Sequence, residues 1–283
     1  MQEELVGEAT RKVGTGDENI AEVGNWARDK LSLLREYITI SSPARKRWIR
    51  PTSEATYIDL FCGPGKSQCR DTGELLDGSP VVAWNASVLS GVPFSRVFLA
   101  DASAQHVHSA ADRLRTLPAA PVASFVGPGE STVNDIYREL IPWELHFALL
   151  DPFNLEDLPF SVIERLAKLK HIDLMIHLST GDMQRNYATY TDAENATLDR
   201  FAPGWRKAVD FNAQPFAQRL AIVRHWFSLL NDVGLPHAPA MHAARNSKNS
   251  RMYWLIFASR ADIARKFWTA AQRYLREPTL TLF

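Results

Sequence analysis

Between Ala55 and Ser179 the chain alternates short apolar runs with stretches of helical period, and this alternation restricts the fold more than any other feature. The runs read ATYIDLF, SRVFLAD, APVASFV, LHFALLD and HIDLMIHLS. Near-continuous apolar runs of this kind suit strands buried on both faces. Between them lie GSPVVAWNASVLS, SAQHVHSAADRLRTL, STVNDIYREL and EDLPFSVIERLAKL, each read as a helix. Ser79, Ser103 and Ser131 are the expected caps, with Pro80 at a first helical position. Strands alternating with helices imply parallel βαβ units with helices on both faces. The fold class expected is α/β: a doubly wound, Rossmann-like, mostly parallel sheet.

The flanking segments follow other rhythms. Residues 1–20 are polar and read as a flexible tail. NWARDKLSLLREYITI repeats Trp26, Leu31, Leu34 and Ile38 at helical spacing. SSPARKRWIRPTSEA then breaks the pattern with prolines and positive charges. Residues from about 180 to 250 read as a helical insertion, either a lid over substrate or a structural cap. Within it Phe216, Leu220, Val223, Phe227 and Leu230 mark one helical face. MYWLIFAS and SRADIARKFWTAAQRYLRE close the chain as a strand and a long helix. Residues 21–283 are expected to form a single domain that carries the insertion. No run approaches the roughly 18 apolar residues of a membrane span, so a cytoplasmic protein without membrane attachment is expected.

The first strand runs into the loop YIDLFCGPGKSQC, Tyr57 to Cys69. Its GPGKS resembles the end of a triphosphate-binding P-loop, which requires G-x-x-x-x-G-K-[ST]. The first glycine of that pattern falls on residue 60, which is Leu60, so the phosphate nest loses its first turn. The alternative is a strand ending in an acid, followed by a tight Gly63-Pro64-Gly65 turn at the carboxyl end of the strand. Ligands of doubly wound sheets bind at such ends, and glycine lets the backbone approach them. Asp59 is then positioned to orient the ammonium group of S-adenosylmethionine, with Phe61, Cys62, Gly63 and Gly65 lining the cofactor loop. The competing reading is a plain βα turn.

The next strand ends support this assignment. Asp101 closes RVFLAD and suits the two ribose hydroxyls of an adenosine, or else caps the following helix. Phe125 to Gly127, after the third strand, are placed to flank adenine, although no aspartate follows for the adenine amine and the nearest acid is Glu130. The fourth strand ends in Asp151-Pro152-Phe153-Asn154. Asp151 or a neighbouring carbonyl can accept a hydrogen bond from a target amine, Pro152 stiffens the loop, and Phe153 can stack on a base or pack in the core.

YIDLFCGPG, GSPVVA, the acid after the second strand and DPFN together resemble the three-Cys-motif partner proteins, known as TcmP. The specific letters lie mostly between residues 57 and 154, and the motif order spans roughly 26 to 260. Cys62 stands where that family usually has alanine, and Asn154 where it has glycine. The resemblance implies a methyltransferase-like fold and a partner, encoded nearby, that carries three cysteines.

Other candidates are weaker. Cys62 and Cys69 are the only cysteines, and no zinc-ligand spacing surrounds them, so no metal is expected. His106 and His108 lie two apart and are expected to face solvent. ARKRWIR, with Trp48, either grips a phosphate backbone or forms a solvated linker. Arg245, Lys248 and Arg251 offer a second basic stretch. Lysines and arginines number 32, as do aspartates and glutamates, which argues against charge-driven binding of RNA or DNA. The reading is an S-adenosylmethionine-dependent methyltransferase acting on a nitrogen of nucleic acid or on a partner-bound substrate, with Asp151, Pro152 and Phe153 at the acceptor. The alternative is a non-catalytic interaction module.

Overall fold

The computed structural model of the chain describes residues 19–50, 53–118, 120–245, 251–275 and 280–281. Its strands are β1 (Ala21–Val23), β2 (Ala55–Asp59), β3 (Lys66–Cys69), β4 (Leu75–Asp77), β5 (Arg96–Asp101), β6 (Val122–Val126), β7 (Leu145–Leu150), β8 (His171–Leu178), β9 (Ala240–Arg245), β10 (Arg251–Ser259) and β11 (Leu280–Thr281). Its helices are α1 (Ala27–Ile40), α2 (Ser42–Trp48), α3 (Ser79–Leu89), α4 (Ala104–Arg115), α5 (Gly129–Glu139), α6 (Phe160–Leu166), α7 (Thr180–Arg185), α8 (Tyr187–Thr191), α9 (Thr197–Phe201), α10 (Pro215–Asp232) and α11 (Asp262–Ala271).

The main sheet has eight strands in the order β11-β9-β10-β8-β7-β2-β5-β6. Strands β8, β7, β2, β5 and β6 run parallel, and β10 is antiparallel to both its neighbours. The chain leaves β2 in one direction through β5 and β6, then returns to β7 on the other side of β2. This reversal makes the β2–β7 boundary the topological switch point, where doubly wound sheets open a crevice at their carboxyl ends. The Rossmann-like class expected from the sequence is the fold observed.

Successive strand residues point to opposite faces and feed two cores. Ile58, Leu60, Phe98 and Ala100 pack into one core with Val133 and Ile136 of α5, Val162 and Ile163 of α6, and Trp226 of α10. Tyr57, Val97 and Leu99 pack into the other with Leu33 and Leu34 of α1, Trp84 of α3, Val107 of α4 and Trp268 of α11. Burying each such side chain stabilises the fold by about 1.5–3 kcal/mol, so both faces reward apolar residues and the strands lack polar alternation.

Several local expectations are corrected. Residues 1–18 of the expected tail lie outside the described residues, and β1 starts at Ala21, where the domain was expected to begin, paired with β3. Strands β1, β3 and β4 make a small second sheet in the order β1-β3-β4, which three- and four-residue runs were too short to announce. The cap of α3 is Gly78, and the Ser79 side chain turns to Asp59 instead. Pro128 precedes α5, which leaves Ser131 inside the first turn. Ser103 does cap α4, accepting from the His106 amide at 3.3 Å.

The segment expected to be a linker forms α2. Buried Arg45 donates to the carbonyls of Val92 at 2.8 Å and Ile38 at 3.0 Å, and its guanidinium lies 4.7 Å from the centre of the Phe94 ring. The helices after β8 end at Asp232, and the chain then enters β9, so the expected insertion is helical for only part of its length. In α10, Val223, Phe227 and Leu230 are buried as expected, joined by Ile222 and Trp226, whereas Phe216 is 64% exposed in the first turn.

Candidate functional site

An open cleft of about 670 Å³ crosses the carboxyl ends of β2, β5 and β7. Its floor is the turn after β2. Gly63 (φ +55°) and Gly65 (φ +78°) both occupy the left-handed region, which side chains other than glycine adopt at a cost. The two differ in surroundings. A Cβ on Gly63 would meet nothing within 4 Å, whereas one on Gly65 would lie 3.0 Å from Ala110 of α4. Gly63 therefore borders open cleft, and Gly65 packs the turn against a helix.

Asp101 stands beside this turn. Its Oδ2 accepts from the Gly63 amide at 3.0 Å, and its Oδ1 accepts from the Ser103 amide at 2.9 Å and lies 3.2 Å from His106 Nδ1. Burial works against its charge, but the bonds from His106, Ser103 and Gly63 outweigh burial and hold the carboxyl below its ordinary range. A carboxylate offers about four acceptor positions, so three partners leave room for a ligand hydroxyl.

Asp59 is placed differently from the expectation. It is fully buried and does not line the cleft. Its oxygens accept from the Tyr57 hydroxyl at 2.9 Å and the Phe61 amide at 3.4 Å, and Ser79 also bonds to it. Burial pushes its carboxyl up to about 6. It braces the loop from beneath. Phe125 likewise turns inward, packing on Phe98 with ring centres 6.0 Å apart. The wall after β6 is made by Pro128, Gly129 and Glu130, with the Phe61 ring against Gly129. Cys62, a free and buried thiol whose amide donates to Ala100 O at 2.9 Å, lines the cleft with Phe61, Gly63 and Gly65. Burial pushes the Cys62 thiol well above its ordinary range.

Asp151, Pro152 and Phe153 also line the cleft, and Phe153 is 53% exposed rather than packed in the core. Both oxygens of Asp151 are engaged. Oδ2 pairs with Lys30 Nζ of α1, and Oδ1 lies 2.7 Å from His177 Nδ1 at the end of β8. Burial opposes ionisation, but Lys30 and His177 hold this carboxyl well below the carboxylate range. Trp26, just before α1, and Tyr253 of β10 complete the wall. Their rings meet edge to face at 5.4 Å, and the Tyr253 and His177 rings at 4.0 Å.

Lys30, Trp26, His106, His177 and Tyr253 were not singled out as site residues from the sequence. For His177 a signal existed: it lies next to the last residue of a parallel strand, on the same edge as Asp101 and Asp151. Lys30 and Trp26 carried only a helical period.

The first basic stretch does not build a rim on the cleft. No residue of ARKRWIR lines the cleft, and Trp48 packs on His171 at 4.4 Å. Lys248 and the side chains of Arg245 and Arg251 lie outside the described residues. The cleft wall carries Glu22, Asp101, Glu130, Asp151, Glu156 and Asp157 against Lys30, Arg70, Arg185 and Arg200. Arg185 and Arg200 come from the helical segment after β8, so that segment contributes to the cleft. Among the described residues no group of three or more His, Cys, Asp or Glu could hold a metal ion, and no helix is long and apolar enough to cross a membrane.

No family model and no curated protein sequence matches this chain. Solved structures resemble it in fold. Protein LPL1258 of Legionella pneumophila is 10% identical with a TM-score of 0.50, covering 88% of this chain and 94% of that one. An O-methyltransferase of Bacillus cereus, solved in complex with SAH, is 12% identical with a TM-score of 0.45, covering 84% and 82%. A putative RNA methyltransferase of Pyrococcus horikoshii is 8% identical with a TM-score of 0.38, covering 80% and 81%. At 10% identity the likeness to LPL1258 is one of fold alone. The class defined by sheet and cleft together is a Rossmann-like protein with its crevice at the switch point.

Proposed function

We propose that the protein is an S-adenosylmethionine-dependent methyltransferase. The observation that carries this reading is Asp101: an ionised carboxylate at the end of β5, fixed by the Gly63 amide, with acceptor capacity facing the cleft. It would take the ribose hydroxyls. Phe61, Cys62, Gly63 and Gly65 would line the amino-acid end, and the open space at Gly63 fits a ligand lying against the backbone. Pro128, Gly129 and Glu130 would flank the base. Once bound, the cofactor supplies an electrophilic methyl group on a sulfonium.

The acceptor would lie toward Asp151, Pro152 and Phe153, and this chain's contribution is to hold it in line. The carboxylates on the wall favour a small-molecule acceptor over a polyanion such as RNA or DNA, whose phosphates would meet repulsion. The three-cysteine partner belongs to the same proposal and rests on the sequence resemblance alone; co-purification of the two proteins tests it.

The test of function is transfer of labelled methyl from S-adenosylmethionine to a panel of small hydroxyl and amine acceptors, nucleic acids and the partner. Transfer to any of them supports an enzyme. Cofactor binding without transfer to any of them supports the non-catalytic module.

A further inference from the structure

We infer that His177, oriented by Asp151, is the general base of this site and that the acceptor is an aromatic hydroxyl. The inference rests on the methyltransferase reading above and names the substrate class for the same cleft.

Asp151 decides which nitrogen of His177 carries the proton. Asp151 is ionised and can only accept hydrogen bonds, so the His177 nitrogen 2.7 Å from it must carry a hydrogen. Burial keeps the imidazole neutral by lowering its proton affinity below the ordinary value, although Asp151 pulls the other way and Lys30 adds to the lowering. A neutral ring protonated at Nδ1 presents a bare lone pair at Nε2. That Nε2 is buried and has no hydrogen-bond partner among the described residues. The groups facing the ring are Asp151 from the β7 end, Lys30 and Trp26 from the start of α1, and Tyr253 from β10. None supplies a donor to Nε2; the Tyr253 hydroxyl donates to the Trp26 carbonyl at 3.0 Å.

Other imidazole nitrogens without a hydrogen bond exist, at His146 and His237, and His242 Nε2 has only Asp29 Oδ2 at 3.4 Å. His177 differs from these in two ways: it lines the cleft, and its second nitrogen is fixed by a carboxylate. Nε2 is closed off from solvent, so an acceptor O–H reaching it from the cleft must shift the neighbouring wall, and would then satisfy the lone pair. Trp26, Phe153 and Tyr253 give the cavity flat apolar surfaces suited to an aromatic ring. A hydroxyl also needs what this site offers, because a neutral phenol is a poor nucleophile until its proton is taken.

The proton balance is complete without a further reactant. The acceptor O–H bond breaks, its proton passes to Nε2, and its electron pair stays on oxygen. The imidazolium formed is paired with Asp151. That oxygen pair makes the new C–O bond as the C–S pair withdraws onto sulfur, and the proton leaves His177 for water after release.

The test uses the full chain with S-adenosylhomocysteine and para-nitrophenol as probe. On adding the phenol, the His177 Nε2 signal in side-chain nitrogen NMR of wild type should shift as the lone pair accepts the phenol's hydrogen bond. His177→Gln should bind S-adenosylhomocysteine within about twofold of wild type, and its methyl transfer to phenols should fall roughly 100-fold or more with the acid limb of the pH profile gone. Side-chain nitrogen NMR of wild type adds a readout that needs no variant, and should show the Nδ1–H tautomer at neutral pH. Normal cofactor binding with no Nε2 shift on adding the phenol, unchanged transfer to phenols by His177→Gln, the Nε2–H tautomer, or transfer only to amines would overturn the assignment. Failure of wild type to bind the cofactor would overturn the methyltransferase reading and this assignment with it.

Discussion

The Gly78 amide donates to the Gly65 carbonyl at 2.8 Å, and the backbones meet so closely that a Cβ on Gly78 would lie 2.7 Å from Gly65 Cα. The start of α3 is thereby clamped onto the cleft floor. Gly78→Ala must push the two segments apart and should lower stability by about 1–3 kcal/mol, measured by urea unfolding. Gly63→Ala offers the contrast. Its Cβ enters open space and costs about 1–2 kcal/mol through the left-handed φ alone, while filling the volume assigned to cofactor. Its unfolding should resemble that of other mild variants, with cofactor affinity reduced about tenfold or more.

Lys30 and Asp151 form a largely buried pair between α1 and the β7 end. Lys30→Met leaves the carboxylate buried with only His177. Removing one member of such a pair costs about 3–5 kcal/mol in buried settings, and the side chains here are 10% and 15% exposed, so a loss near the lower figure is expected in denaturant melts. Because Lys30 also depresses His177, the imidazole should titrate at higher pH in the variant, as read by NMR.

Asp59 gives a pH dependence with a defined sign. Its carboxyl is raised from 3.8 to about 6 by burial. The fold therefore holds a proton that the unfolded chain has already released, and this contribution is present at low pH and lost as pH rises from 3.8 to about 6. Above that window the buried charge costs about 2–3 kcal/mol. Asp59→Asn has no proton to lose, so it should gain on wild type by about that amount between pH 4 and pH 7, measured by parallel melts. A constant difference between the two proteins across that range would contradict the burial argument.

The sequence made the parallel strands legible because each is buried on both faces and strongly apolar. It made the strand-end acids legible because position alone marks Asp101 and Asp151. The small β1–β3–β4 sheet was hidden, since residues such as Lys66, Ser67 and Gln68 carry no strand signal and are held by pairing with β4 on one side and β1 on the other. The P-loop-like letters fall on a strand: Lys66 and Ser67 lie in β3, and only Ser67 of the two borders the cleft.

Asp59 shows the limit of motif reasoning. The motif places an acid at a strand end, but only the packing of Tyr57, Phe61 and Ser79 around it decides that it faces inward. His177 and Lys30 show the complementary limit. Their importance comes from meeting at Asp151 across a large sequence separation, which no local pattern encodes.

On the proposed reading, the switch-point cleft binds S-adenosylmethionine through Asp101. Calorimetric titration of the cofactor into wild type and Asp101→Ala tests it most directly. Losing hydrogen bonds to a charged group costs about 1.5–3 kcal/mol, so wild type should bind at one site and the variant about tenfold to a hundredfold more weakly. No binding by folded wild type, or equal binding by the two proteins, would contradict the account.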